Sequence, residues 1–386
     1  MTSKRAALQP LTTGFVVAIV GFFSSFPIVL QGLVQVGASP AQAASGLMAA
    51  AVAMGLAGIV LSLWQKMPVS VAWSTPGAAL LAVTAPDAAG FGGAVAGFIV
   101  AGVLTVVAGF WRPLARLATA IPAPVTQAML AGVLLSICAA PVAAVAEVPQ
   151  YVLPIIVTWF VVGRFARLFS TPAAVVAMVV VIVAANDFAL PVPDQVLSQP
   201  VFVAPVFSLG AIVGIGLPLF VVTMATQNVP GMSILSINGF HPPAGPMFSG
   251  VGGFSVLSAP FGAPATCLAA ITAAMCASED AHPDPARRYM AAVWAGGFYC
   301  VLGVFAGLIT ALTAIAPEHV LATLAGVALI SVFAGSAAGA LQASEGREAA
   351  ALTFVVTASG VSFFGLGAAV WGLVVGCIAW GFRAKG

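Results

Sequence analysis

Ionisable side chains are scarce in this chain. Twelve Lys and Arg and ten Asp and Glu make up 6% of 386 residues, against about 25% in a soluble domain, so a water-facing surface of ordinary extent cannot be built from them. Only three His are present, and no His, Asp and Glu converge within an apolar stretch, which argues against an intramembrane enzyme and against a metal or other cofactor. The five cysteines, Cys138, Cys267, Cys276, Cys300 and Cys377, lie in apolar segments without metal-ligand spacing. Neither a disulfide framework nor a zinc site is indicated. A net charge of +2 gives nucleic-acid binding no support. What fills the chain instead is hydrocarbon: 61% of residues are hydrophobic and the mean hydropathy is +1.14. The fold class that follows is an all-α polytopic membrane protein.

The few charges are ordered. Basic residues fall in seven clusters, Lys4/Arg5, Lys66, Arg112/Arg116, Arg164/Arg167, Arg287/Arg288, Arg347 and Arg383/Lys385, with about two bilayer-lengths of apolar chain between most neighbours. Midway between them lie Asp87, Glu147, Asp187, Asp194 and Glu318, or no charge. Each interval then crosses out and back, and the positive-inside rule puts both termini in the cytoplasm. Lys4-Arg5 before the run 11–33 has the look of a signal peptide, but the run is too long and lacks a small-residue cleavage site, so it reads as a retained first span.

About 20 apolar residues per crossing gives about fourteen spans: 11–33, 41–64, 70–85, 89–111, 122–140, 150–168, 172–190, 207–229, 245–258, 263–277, 289–315, 319–340, 349–364 and 366–382. The third, ninth and tenth are short, the third carries internal Pro and Gly, and the tenth carries an internal Pro. Residues 74–85 laid over 262–273, an offset of 188, match Pro76 with Pro264, Leu80 with Leu268 and Thr84 with Thr272. At an offset of 196, Gly14 and Gln31 overlie Gly210 and Gln227. Residues 1–195 (spans 1–7) and 196–386 (spans 8–14) are therefore read as two repeats, inverted because seven is odd.

Inverted repeats with broken helices in matching places mark a secondary transporter with a midplane site. Pro76 favours a first helical turn, with Ser74 and Thr75 as caps, so a half-helix is expected to begin there and another at Pro264. Two helix N-termini facing the membrane centre make an anion site without Lys or Arg. The residues nominated for it are Ser24, Ser25 and Gln31 in span 1, Trp73, Ser74, Thr75 and Gly77 at the first break, Thr226, Gln227 and Asn228 in span 8, and Thr266 in span 10. For Gln31, Gln227 and Asn228 a purely interhelical hydrogen bond is an equal alternative, and for Ser and Thr a back-bond to the same helix is the commoner use. Trp73 is read either as packing or as a flat face for an aromatic ligand.

Four strings carry a resemblance: Trp73-Ser74-Thr75-Pro76-Gly77, Thr226-Gln227-Asn228-Val229-Pro230-Gly231, Ala281-His282-Pro283-Asp284-Pro285-Ala286-Arg287-Arg288-Tyr289 and Leu352-Thr353-Phe354-Val355-Val356-Thr357-Ala358-Ser359-Gly360. In order and spacing they resemble the benzoate/proton symporter (BenE) family, over almost the whole chain. The resemblance implies benzoate uptake with a proton across the bacterial inner membrane. It also implies the fourteen-span fold shared with nucleobase and sulfate/bicarbonate-type transporters, with spans 1–4 and 8–11 as a core domain and 5–7 and 12–14 as a gate. Nucleobase carriers of that fold place acids in spans 8 and 10, where this chain has Gln227, Asn228 and Thr266. A carboxylate substrate would be repelled by acids there, so the exchange suits benzoate.

Coupling follows from charge. A carboxylic acid with a pKa of about 4 is ionised at neutral pH, and moving it inward opposes about 2.3 kcal/mol per 100 mV. Accumulation therefore needs an accompanying positive charge. Glu279 and Asp280 are proton-coupling candidates, the substrate's own carboxyl is another, and Asp284-Pro285 before Arg287-Arg288 reads as a helix start with an ion pair. An exchanger or exporter of another organic anion or nucleobase on the same fold, and a channel, stay open as alternatives. So does a homodimer, since five G-x-x-x-G matches are about what 41 Gly give by chance.

Overall fold

Apolar, Ala-rich and Gly-rich runs with no competing turn chemistry become helices, and the breaks fall where Ser, Pro and Gly interrupt them. The computed structural model describes residues 3–111, 113–114, 116, 120–187, 196–342, 346–363 and 366–383. Arg112, Asp194 and Lys385 lie outside these residues.

The first apolar run divides into α1 (Ser3–Phe23) and α2 (Phe26–Gln35) at Ser24 and Ser25, whose hydroxyls both donate to the Gly21 carbonyl at 3.3 Å. Pro27 in the first turn of α2 cannot donate back to the preceding turn, which favours the break there. Ser39 opens α3 (Pro40–Gln65) with a reciprocal capping box to Gln42. A short strand β1 (Val71–Trp73) then leads into α4 (Thr75–Ala82), followed by α5 (Phe91–Phe110). Three further helices complete the first half: α6 (Ala123–Glu147), α7 (Pro149–Phe165) and α8 (Ser170–Ala185).

The same succession recurs. A continuous helix α9 (Ala211–Ile237) contains two π-helical stretches, Ala211–Gly216 and Met224–Asn228. It is followed by α10 (Ala244–Ser258), strand β2 (Thr266–Leu268) and α11 (Ala270–Ala277). Then come α12 (Tyr289–Val304) and α13 (Ala306–Ala314), α14 (Val320–Gln342), α15 (Arg347–Ala358) and α16 (Ala368–Arg383). Among the described residues seven helices are long and apolar enough to cross a bilayer alone, and an eighth crossing is the pair ending in α12 and α13, bent by 45°.

Two strands of three residues show how the halves are related. β1 and β2 pair antiparallel, Val71 with Leu268, Ala72 with Cys267 and Trp73 with Thr266. Each strand is followed one residue later by an eight-residue helix, α4 or α11. Superposing them needs an offset of 195 residues (266 − 71 and 270 − 75). Under that offset Ala72 and Cys267 exchange places, so a two-fold axis passes between them and relates the repeats in inverted sense. The flanking bonds obey it too: the Ser74 N–H donates to the Ala265 carbonyl at 2.8 Å and the Ala269 N–H to the Ser70 carbonyl at 3.0 Å. This corrects the sequence register of 188. Pro264 does not begin the second half-helix, which starts six residues later at Ala270, and Thr266 lies in the strand, not in the helix.

Helix packing follows the same symmetry. α3 packs on α12 and α10 on α5, while α14 packs on α6 and α15 on α16 and α6. The first two crossings are close because they are made at glycine. A Cβ on Gly296 would stand 2.5 Å from the Gly55 carbonyl oxygen, one on Gly55 would stand 2.5 Å from that of Gly296, and one on Gly252 would stand 2.8 Å from that of Gly102. Small residues at membrane crossings let backbones approach where lipid provides no hydrophobic drive.

Candidate functional site

The strand ladder fixes where the half-helices begin. Four residue steps separate Ser74 from the level of Ala269 along it, about 13 Å at the usual strand rise, and the positive N-terminal ends of the two helices adjoin its opposite ends. A small anion can lie between them. One carboxylate cannot touch both ends at once.

The two N-termini are unequally equipped. In α4 the Ser74 hydroxyl accepts the Gly77 N–H at 3.1 Å, the Ser74 carbonyl accepts that of Ala78 at 2.8 Å, and Pro76 has no N–H, which leaves Thr75 as the open first-turn donor. In α11 no side chain caps the helix, so its first-turn donors stay open. Ile271 in that turn is 66% exposed and Thr75 is half-buried, so both ends are accessible. The open donors can bind an anion and the apolar Ile271 can meet an apolar body attached to it.

Hydroxyls and one amide brace this centre. Thr223 of α9 donates to the Ser74 hydroxyl at 2.9 Å, with both side chains buried. Asn228, 0% exposed, accepts the Leu268 N–H at 2.9 Å and donates to the Met224 sulfur at 3.2 Å, tying β2 to the second π-helical stretch of α9. Thr266 shares a 2.8 Å bond with Ser255 of α10 and its N–H donates to the same hydroxyl at 2.9 Å. Ser70 donates to Thr272 at 2.7 Å. The Cys267 thiol donates to the Ala72 carbonyl at 3.4 Å on the symmetry axis.

The residues nominated from sequence separate into groups. Ser25, Trp73, Ser74, Asn228 and Thr266 are buried in this bracing, while Thr75 and Gly77 lie in the first turn of α4. Trp73 is 1% exposed, donates from Nε1 to the Ser25 hydroxyl at 2.8 Å, and packs edge-on against Phe22 with centroids 5.2 Å apart. Ser24 and Thr226 hydrogen-bond to carbonyls of their own helices, Gly21 and Val222. Gln31 Oε1 is buried without a hydrogen-bond partner among the described residues, and Gln227 is half-buried. Glu279 and Asp280 are exposed beyond the end of α11, where the Asp280 carbonyl accepts from Thr13 at 3.1 Å. Asp284 caps the short helix Pro285–Arg287 and pairs with Arg287 at 3.8 Å, as its sequence context suggests.

Sequence reasoning missed Thr223, Ser70, Thr272 and Ile271. No local signal marks the first three, since a lone hydroxyl in an apolar helix is common. Ile271 follows from the 195-residue register, which places it over Pro76.

A cleft adjoins α4 at its other end. Two connected cavities of about 280 and 590 Å³ share Thr84, Gly214 and Gly367, and the smaller reaches Leu80 of α4, Gly132 and Ser136 of α6 and Thr357 of α15. No residue nominated from sequence lines it. Leu80 is about 7 Å along the helix from Thr75 at the α-helical rise.

Against known proteins, the chain matches the BenE family, described as benzoate membrane transport protein, over residues 4–381. It is 37% identical over 375 residues to the inner membrane protein YdcO of Escherichia coli, covering 96% of this chain and 94% of that one. It is 32% identical over 379 residues to the benzoate membrane transport protein of Acinetobacter baylyi, covering 97% and 95%. The transmembrane domain of the cyanobacterial bicarbonate transporter BicA has a TM-score of 0.59 at 15% identity over 98% of both chains, which shows a common fold. Matched over nearly its whole length and 32% identical to a benzoate membrane transport protein, this chain belongs to the BenE family of membrane transport proteins.

Proposed function

We propose that the protein is a secondary active transporter importing benzoate, or a similar small aromatic carboxylate, with a proton across the bacterial inner membrane. The observation that carries this reading is the pair of half-helices whose positive ends flank one strand ladder, with open N–H donors at Thr75 and at the start of α11, in a chain of the BenE family. The carboxylate takes the open Thr75 donor at the start of α4. Ile271 and the apolar faces around the ladder take the ring.

Fourteen segments cross or half-cross the bilayer, with both termini cytoplasmic. Lys66, Arg164, Arg167, Arg287, Arg288 and Arg347 support this, since they fall at connections of one parity (α3–β1, α7–α8, α11–α12, α14–α15). Asp87, Glu147, Asp187 and Glu318 fall at the alternate ones. The cleft beside Thr84 and Gly367 then opens to the outside. Alternating access moves a core of α1–α5 and α9–α13 against a gate of α6–α8 and α14–α16, in line with helices that pack mainly within these two sets.

Purified protein in liposomes, given labelled benzoate and an inward proton gradient, tests the reading. Concentrative uptake that collapses with an ionophore is expected. Counterflow without net uptake would instead mean an exchanger, and rates that never saturate would mean a channel.

A further inference from the structure

The larger cavity of the cleft carries one ionisable group among its described lining residues, Asp87. Its seat is built. Oδ1 accepts the Ala89 N–H at 2.8 Å, and Oδ2 accepts the Ser208 hydroxyl at 3.0 Å, which itself accepts the Ala211 N–H at 2.8 Å. The carboxylate is lodged between two glycines: a Cβ on Gly93 or on Gly210 would fall 2.5 Å from one of its oxygens. No Lys, Arg, His or second acid is among the described residues that line either cavity, so no side chain there offsets its charge.

We propose that Asp87 is a charge filter at the mouth of the substrate path, a specificity-determining residue for anion access. This rests on reading the cleft as the way to the half-helices. An ionised Asp87 places a negative charge beside an approaching carboxylate in a confined, low-dielectric passage, where such fields act strongly on local ion concentration. Removing the charge should raise the apparent affinity for benzoate and leave the coupling ratio as it is.

The seat alone would make Asp87 a clasp joining the α4–α5 connection to the start of α9. A clasp and a filter differ in what Ser208→Ala does, because that change removes a bond to Asp87 and keeps the charge. The experiment uses a chain whose five native cysteines are replaced and in which Ser136→Cys reports from the cleft wall. Rates of modification by a cationic and an anionic methanethiosulfonate are compared with Asp87 intact, with Asp87→Asn and with Ser208→Ala.

Asp87→Asn is expected to lower the cation-to-anion rate ratio roughly three- to ten-fold, the effect of one unit charge at partly screened distance, and to lower the KM for benzoate by a similar factor. Ser208→Ala should leave the ratio near its starting value. An unchanged ratio in Asp87→Asn overturns the filter, and so does an equal change in both variants. The reagent ratio needs no benzoate transport, so a protein that carries no benzoate would refute the proposed substrate while leaving this test readable.

Discussion

The Thr223 hydroxyl of α9 donates to the Ser74 hydroxyl of the other repeat across 2.9 Å. Because Ser74 Oγ also accepts the Gly77 N–H, both its lone pairs are used and the two bonds together fix the cap of α4. Thr223→Val should therefore raise the KM for benzoate about five- to ten-fold, the worth of one oriented hydrogen bond, and Thr223→Ser should restore it. Equal KM in Thr223→Val and the parent would show that this bond does not position the first turn of α4 for the substrate.

Asn228 satisfies the buried Leu268 N–H. Replacing it with Leu leaves that donor without a partner at a cost of about 1–3 kcal/mol. Thermal unfolding in detergent should show a lower Tm for Asn228→Leu, with Asn228→Asp nearer the parent. A Tm equal to that of the parent would mean the N–H finds another acceptor.

The α3–α12 crossing depends on two glycines. Gly296→Leu drives a side chain into the Gly55 carbonyl, 2.5 Å from the first atom added, and overpacking of this kind costs about 1–3 kcal/mol or more. Gly297 has nothing within 4 Å of its Cβ position, so Gly297→Leu is the matched control. Loss of folded protein in the first and not in the second is expected by size-exclusion chromatography.

Proton coupling is tested at Glu279 and Asp280, exposed beyond the end of α11. The double change Glu279→Gln/Asp280→Asn should keep benzoate binding and lose accumulation under an inward proton gradient. Accumulation equal to the parent would assign the proton to the substrate's carboxyl.

The first half-helix was legible because its start is written locally: Ser74 caps, Pro76 fits the first turn, and α4 begins at Thr75. Its partner was not. Ala269 and Ala270 carry neither cap nor Pro, while Pro264-Ala265-Thr266 mimics the Ser74 motif without starting a helix. What sets the start of α11 is the ladder with β1, including the Ala269 N–H to the Ser70 carbonyl, a contact across 199 residues (269 − 70). Long-range pairing of that kind leaves no trace in a local pattern. The break at Ser24 and Ser25 was likewise hidden inside a continuous apolar run. The two-fold inverted repeat, by contrast, was legible in the spacing of Lys and Arg over the whole chain, which no single contact can blur.

The measurement closest to the central claim is a structure with para-bromobenzoate bound, in which the bromine is located by its anomalous signal. The account predicts the bromine near Ile271 and the ladder, with the carboxylate against the first turn of α4 and within hydrogen-bond reach of Thr75. A bromine found only outside the core, with both half-helix ends unoccupied at saturating ligand, would contradict it.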